Sequence, residues 1–315
     1  MKPVLFVSTR PLERAENLAT IFNAFKGDKT FMQMDVRRTN EGLKSKTYKL
    51  ILADEIPSTA NAPVILFGHG ITGGKKCYKD QEHGYVKSWE YKFIFEAVAS
   101  SPEMVYISAG QLGLPTNKVH PLGMPRTDYY FGKKKGDGGT FLVQKRAYLY
   151  APTFRNKTDP EGFELDLDYI DSKLTDMEVF VIKPHMLMKG MVKKEYKHIV
   201  EVSPNVMSRD YILDCDVLIT DYSSILLDGY VADKPGVLFE KNPGYLESRG
   251  MYFKYPFEYC SRYATNEEEL VNLMREANEL GDIEKACRIK TASSCLDGKS
   301  TERVCNYISQ KIQSI

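Results

Sequence analysis

Imidazole, lysine, arginine and hydroxyl side chains recur in this chain beside glycine or proline, at what read as the ends of strands. The most informative stretch is Cys215-Asp-Val-Leu-Ile-Thr-Asp-Tyr-Ser-Ser224. Val217, Leu218 and Ile219 form a short aliphatic run of the kind found in parallel strands covered on both faces. Ser223 and Ser224 follow, and the spacing in Ile225–Ala232 predicts a helix that these two serines cap. A helix start offers free N–H groups and a partial positive charge, which suits a phosphate. The same residues also satisfy a plainer reading, a capped helix inside an α/β core with no ligand.

Other constellations share the strand-tip setting. Phe67-Gly-His69-Gly70-Ile-Thr-Gly-Gly-Lys-Lys76 puts a histidine between glycines, where a substrate can approach the backbone closely. It is not a phosphate-binding P-loop, because a required glycine is missing and no Ser or Thr follows the lysine. In Val181-Ile-Lys183-Pro184-His185 the lysine can neutralise a phosphate, and the proline fixes the backbone before the histidine. Tyr150-Ala-Pro-Thr-Phe-Arg155 offers a guanidinium able to fork onto phosphate oxygens. Leu122-Gly-Met-Pro-Arg126-Thr-Asp128 reads equally as an anion contact or a structural Arg–Asp turn, and Arg249-Gly-Met-Tyr-Phe253 as a loop over a cleft. His83, His120 and His198 lack the strand-tip setting and read as structural or surface residues. Asp221 is given no fixed role: a carboxylate beside a phosphate repels it, which leaves orienting a donor as an alternative. Asp166-Leu-Asp168 resembles a metal-binding pair but opens a helical segment, where acids favour the N-terminus, so no metal site and no cofactor are assigned.

The elements that must position these residues alternate in type. Val4–Val7, Leu50–Ala53, Val64–Phe67 and Met104–Ser108 read as strands, while Leu12–Phe25 and Trp89–Ala99 have the spacing of amphipathic helices. Phe131–Gly139, rich in Gly, Lys and Asp, breaks the pattern as an exposed connection. Beyond it, Ala147–Tyr150, Val179–Ile182, Val217–Thr220 and Gly236–Phe239 read as strands, and Leu167–Leu174, Glu267–Ala277 and Glu302–Ile312 as helices. The expected organisation is α/β, with two Rossmann-like lobes: residues 1–138, and residues 139–315 with a last helix free to pack back on the first lobe.

A length of 315 residues accommodates two full cores. A net charge of +1 supplies no global field toward nucleic acid, and none is expected as a partner. The six cysteines form no C-x-x-C pair, which suits a reducing cytosol rather than a zinc ribbon or redox dithiol. The first apolar run, Val4 to Val7, is too short for a signal peptide, and no run approaches the ~18 to 20 apolar residues that span a bilayer. A cytoplasmic location, at most peripheral to a membrane, is the expectation. Lys189–Lys197 reads as a solvated charged loop, with contact to anionic headgroups as its alternative.

Taken in order, His69-Gly70, Gly-Met-Pro-Arg126-Thr-Asp128, Tyr150–Arg155, Lys183-Pro-His185, Asp216–Ser224 and Arg249–Phe253 resemble the CDP-glycerol glycerophosphotransferases, which include primases and polymerases of wall teichoic acid. Asp297–Arg303 is similar to that family's closing segment. Two departures stand out: Gly68 and Ile71 flank the His69-Gly70 pair where the family has an aromatic residue and threonine, and Lys254–Cys260 replaces an acidic run and a Pro-Gly-Pro turn. The resemblance implies a glycosyltransferase-B-like arrangement, with an acceptor-side first lobe and a second lobe binding CDP-glycerol or a related CDP-alcohol. It implies His69 as general base and His185 with Lys183 as stabilisers of pyrophosphate charge. Gly70, Arg155, Thr220, Ser223 and Ser224 would contact substrate. A lipid-linked or polymer acceptor follows from the same resemblance. A UDP-sugar transferase or epimerase of the same fold is the alternative.

Overall fold

The computed structural model describes residues 2–34, 48–55, 57, 60–68, 70–71, 94–153, 165–185, 188, 190–241 and 250–315. The chain divides into two compact units, Met1–Phe131 with Ile289–Ile315, and Gly132–Arg288.

The first unit is built on a six-stranded parallel sheet, β1 (Val4–Ser8), β2 (Lys29–Gln33), β3 (Leu50–Ala53), β4 (Val64–Leu66), β5 (Ile94–Val98) and β6 (Val119–His120), in the order β2-β1-β3-β4-β5-β6. The chain reverses direction across the sheet between β1 and β3, whose register pairs Val7 with Ala53. Helix α1 (Glu16–Ala24) buries Leu18 and Ile21 against Phe6, Leu50, Leu52 and Ile65. The last helix, Ser300–Ser314, adds Val304 and Ile308 to the same core. Asp128 caps that helix by accepting from the N–H groups of Ser300 (3.0 Å) and Thr301 (2.7 Å), which settles the Arg126–Asp128 turn as partly structural.

Two sequence expectations are corrected in this unit. The described end of Trp89–Ala99 is strand β5 rather than an amphipathic helix. Its one charged residue between Ile94 and Val98, Glu96, is buried and compensated by Lys311 (2.6 Å), the Tyr307 hydroxyl and Lys118 (3.5 Å). Met104–Ser108 is not a strand but lies inside helix α2, Glu103–Leu112. Its β-branched Val105 and Ile107 suggest a strand, yet Pro102 and Gly113 bracket a helix. Gly113 ends it in the left-handed region at φ 61°.

The second unit contains β7 (Arg146–Tyr150), β8 (Glu178–Ile182), β9 (Ile199–Glu201), β10 (Val217–Thr220), β11 (Gly236–Phe239) and β12 (Tyr263–Ala264), all parallel, in the order β12-β11-β10-β7-β8-β9. Read from the far edge this is the 3-2-1-4-5-6 order of dinucleotide-binding sheets, with its switch point between β7 and β10. The core gathers Tyr148, Phe180, Ile182, Ile219 and Val237 beneath Leu270 and Met274 of the helix Glu267–Glu276. Helix α3 (Leu167–Lys173) is capped by Asp166, which accepts from Tyr169 N–H at 2.9 Å, the role its position suggests.

The segment after Phe131 is mostly exposed, as its composition predicts, but it is not slack. The N–H groups of Gly136 (2.8 Å), Gly138 (3.0 Å) and Thr140 (2.8 Å) and the Thr140 hydroxyl (2.8 Å) all donate to the carboxylate of Asp214, a fully buried residue at the end of helix α4 (Ser208–Asp214). Burial alone would raise the Asp214 carboxyl, but these four bonds outweigh it and hold the carboxyl below its ordinary range. A Cβ at Gly138 would fall 2.3 Å from the Asp210 carbonyl oxygen, so glycine is required there.

Candidate active site

In the second unit the tips of β10, β7 and β8 lie side by side. The register pairs Ile219 with Tyr150 and Tyr150 with Ile182, so Thr220, Ala151 and Lys183 are the next residues on three neighbouring strands. A strand spacing of about 4.8 Å sets the Thr220 and Lys183 backbones roughly 10 Å apart across the switch point. Lys183 is buried, His185 half-buried, and the Lys183 N–H is tied to the Tyr150 carbonyl at 2.9 Å. Ser223 and Ser224, both half-buried, precede helix α5 (Ile225–Val231). Five of the eight residues singled out by the sequence thus occupy described positions of this unit: Thr220 ends β10, and Lys183, His185, Ser223 and Ser224 follow the carboxyl ends of β8 and β10.

Details differ from the expectation. Thr220 is fully buried, and its hydroxyl donates to the Ala151 carbonyl at 2.6 Å, so the side chain joins two strand tips instead of facing a phosphate. Ser224 does not cap α5, because its backbone is already helical (φ −65°, ψ −9°). Among the described residues, Ser223 Oγ makes one long contact, accepting from Ile225 N–H at 3.4 Å. Asp221 finds its donor in Thr153. The Thr153 N–H lies 3.1 Å from both carboxylate oxygens and the hydroxyl donates at 2.5 Å, closing β10 onto β7. Sequence reasoning could not pair these residues, which lie 68 positions apart. Arg155 and Arg249 lie outside the described residues.

In the first unit, His69 also lies outside the described residues, whereas Gly70 is described. A Cβ at Gly70 would fall 2.5 Å from Arg126 Nη2, so glycine admits that guanidinium to the turn. Arg126 is oriented by Glu16 (3.2 Å), and its N–H donates to Asn17 Oδ1 (3.1 Å). Buried Asn17 also reaches the Gly68 carbonyl at 3.4 Å, tying α1 to the β4 tip. At the switch point of this sheet Ser8 Oγ donates to Asp54 Oδ2 at 2.8 Å, a pair the sequence does not signal because neither residue belongs to a recognisable run.

Several other described charged groups pair within the protein. His198 contacts Asp176 (3.0 Å) and Asp171, and His120 contacts Tyr307 (2.8 Å). Within Lys189–Lys197, Lys194 pairs with Asp168 and Lys197 with Asp176, which supports the solvated-loop reading of that stretch. Among the described residues, no three His, Cys, Asp or Glu side chains are grouped to hold a metal ion, and no helix is long and apolar enough to cross a membrane.

The profile of the CDP-glycerol:poly(glycerophosphate) glycerophosphotransferase family matches residues 59–310. The chain belongs to this family. It is 26% identical over 257 residues to the teichoic acid poly(ribitol-phosphate) polymerase of Bacillus spizizenii, a match covering 76% of this chain and 40% of that protein. It is 28% identical over 219 residues to the teichoic acid glycerol-phosphate primase of Bacillus subtilis, covering 67% of this chain and 56% of the primase. The chain therefore spans about half the length of these curated relatives. The solved structure of the wall teichoic acid polymerase TagF superimposes with a TM-score of 0.77 at 16% identity, covering 99% of this chain and 90% of that one. The fold class is thus the two-lobed α/β, glycosyltransferase-B-like class expected from the sequence.

Proposed function

We propose that this protein transfers a polyol phosphate from CDP-glycerol, or a related CDP-alcohol such as CDP-ribitol, to an acceptor hydroxyl. The oxygen of the acceptor forms a new bond to the β-phosphorus, the bond from that phosphorus to the CMP oxygen breaks, and the acceptor's proton passes to a base. The carrying observation is the switch point of the second unit, where Lys183, His185, Ser223 and Ser224 follow the ends of β8 and β10 inside motifs of the matched family.

In this reading the second lobe binds the donor. Lys183 and His185 offset charge on the pyrophosphate and on departing CMP, and Ser223 and Ser224 contact phosphate oxygens together with Arg155. Thr220 and Asp221 act indirectly by fixing the tips of β7 and β10. His69 serves as general base from the first, acceptor-side lobe, with Gly70 allowing close approach. Phosphoryl transfer of this kind needs positioning and charge stabilisation rather than a covalent intermediate. The acceptor is a lipid-linked or growing polymer, which makes the protein a cytoplasmic one working at the inner face of the cell membrane.

The deciding experiment is calorimetry of the purified chain with CDP-glycerol, CDP-ribitol, CDP, UDP and UDP-N-acetylglucosamine, followed by an assay of CMP release. Cytidine-selective binding is the expected result. Selective binding of the uridine compounds would replace the proposal with a sugar transferase or epimerase.

A further inference from the structure

The two sheets have the same device at their switch points, a hydroxyl clasped to an aspartate across the two central strands. In the second unit the clasp is closed, because Asp221 uses both carboxylate oxygens on Thr153. In the first unit it is half open. Val7 pairs with Ala53, so Ser8 and Asp54 are the next residues of β1 and β3. Ser8 Oγ donates to Asp54 Oδ2, while Asp54 Oδ1 is buried and has no hydrogen-bond partner among the described residues. Asp54 as a whole is 5% exposed.

A structural clasp has no need of this arrangement. Asparagine would accept the same bond from Ser8 without a charge to desolvate, and a buried carboxylate oxygen left unpaired is destabilising. The groups facing Asp54 do not compensate it fully. Among the described residues, Ser8 and Arg10 come from the β1 side, the N–H of Asp54 itself favours the carboxylate, Glu55 from its own turn adds like charge, and the register sets Phe67, which does not titrate, beside it on β4. Ligands of open α/β sheets bind outside the strand ends at this point of the topology.

We propose that Asp54 recognises a hydroxyl of the acceptor, the polyol end of the substrate, with Ser8 orienting the carboxylate and Oδ1 reserved for the ligand's O–H. The inference rests on the transfer reaction proposed above and adds a specificity residue to its acceptor side. Oδ1 is covered in this structure, so a ligand must displace what covers it, and the expected contribution is a moderate one.

The test uses the full chain with CDP-glycerol as donor and a synthetic lipid ending in glycerol phosphate as acceptor. Asp54→Asn is expected to raise the acceptor KM tenfold or more. It should leave the CDP-glycerol Kd within twofold and hold or raise the Tm at pH 8. Ser8→Ala should shift the acceptor KM in the same direction by freeing the carboxylate. An acceptor KM unchanged in Asp54→Asn overturns the proposal. So does a joint fall of Tm, donor affinity and kcat, which marks a purely structural residue. A wild-type chain that binds no CDP-alcohol and releases no CMP defeats the transferase reading itself and this inference with it. Wild-type turnover with an unaffected Asp54→Asn variant defeats the inference alone.

Discussion

Asp54 should make the first unit less stable as pH rises through about 6. Burial is the main cause that lifts its carboxyl from 3.8 to about 6, opposed by the Ser8 hydrogen bond and assisted by Glu55. A carboxyl whose pKa is higher in the folded state binds its proton more tightly there, so its contribution is fully present below the unfolded value and is lost as pH rises through the folded value. The rise from 3.8 to about 6 corresponds to a total of about 3 kcal/mol, of which about 1.4 kcal/mol is lost between pH 5 and pH 8. Asp54→Asn keeps the bond to Ser8 and removes the ionisation, so the other carboxylates cancel in the comparison. The assay is differential scanning calorimetry of the two proteins at several pH values, following the transition of the first unit. The stability difference, variant minus wild type, should grow by about 1.4 kcal/mol from pH 5 to pH 8. Curves that stay parallel across that range would show that Asp54 is already compensated and would refute the reasoning.

Two further perturbations test separate parts of the structure. Asp214→Ala strands the N–H groups of Gly136, Gly138 and Thr140 and should cost about 3 to 4 kcal/mol, read as a lower urea midpoint for the second unit. Gly70→Ala pushes a methyl group into Arg126 Nη2, the end of a flexible side chain, so stability should change by about 1 kcal/mol or less while transfer activity falls at least tenfold. Equal activity in that variant would remove the Gly70–Arg126 contact from the acceptor side.

The central strands were legible because parallel strands buried on both faces are written as continuous apolar runs. Val4–Val7, Leu50–Ala53, Val179–Ile182 and Val217–Thr220 all fall within observed strands. The edge strands β6, β9 and β12 are only two or three residues long and carry no periodic signal. β5 and α2 were exchanged for one reason: in short apolar segments the strand and helix patterns coincide, and tertiary contacts to Glu96 or flanking Pro102 and Gly113 decide between them. The second-unit strand tips were legible as motifs, since Lys183-Pro-His185 and Thr220–Ser224 are local in sequence. The clasps were not. Thr153 meets Asp221, and Ser8 meets Asp54, only after the sheet order has been set, and nothing in the local sequence of either partner announces the other.

That contrast bears on how each unit works. Asp221, bonded through both oxygens, fixes the β7 and β10 tips, and under the proposed transfer reaction this would preorganise the lysine and serines beyond them for a fixed pattern of phosphate oxygens. Phosphate recognition gains from such rigidity, because the charge distribution of a pyrophosphate is the same whatever alcohol it carries. An acceptor is different: its reacting end is an uncharged hydroxyl, recognised best by an acceptor atom that has no other partner. A half-open clasp supplies that atom at Asp54 Oδ1, and the destabilisation it brings to the folded chain is the kind that functional sites retain. If both clasps were structural, replacing either aspartate by asparagine should affect stability alike. The different hydrogen bonding of the two carboxylates argues for opposite signs, a loss at Asp221 and a gain at Asp54 above pH 6.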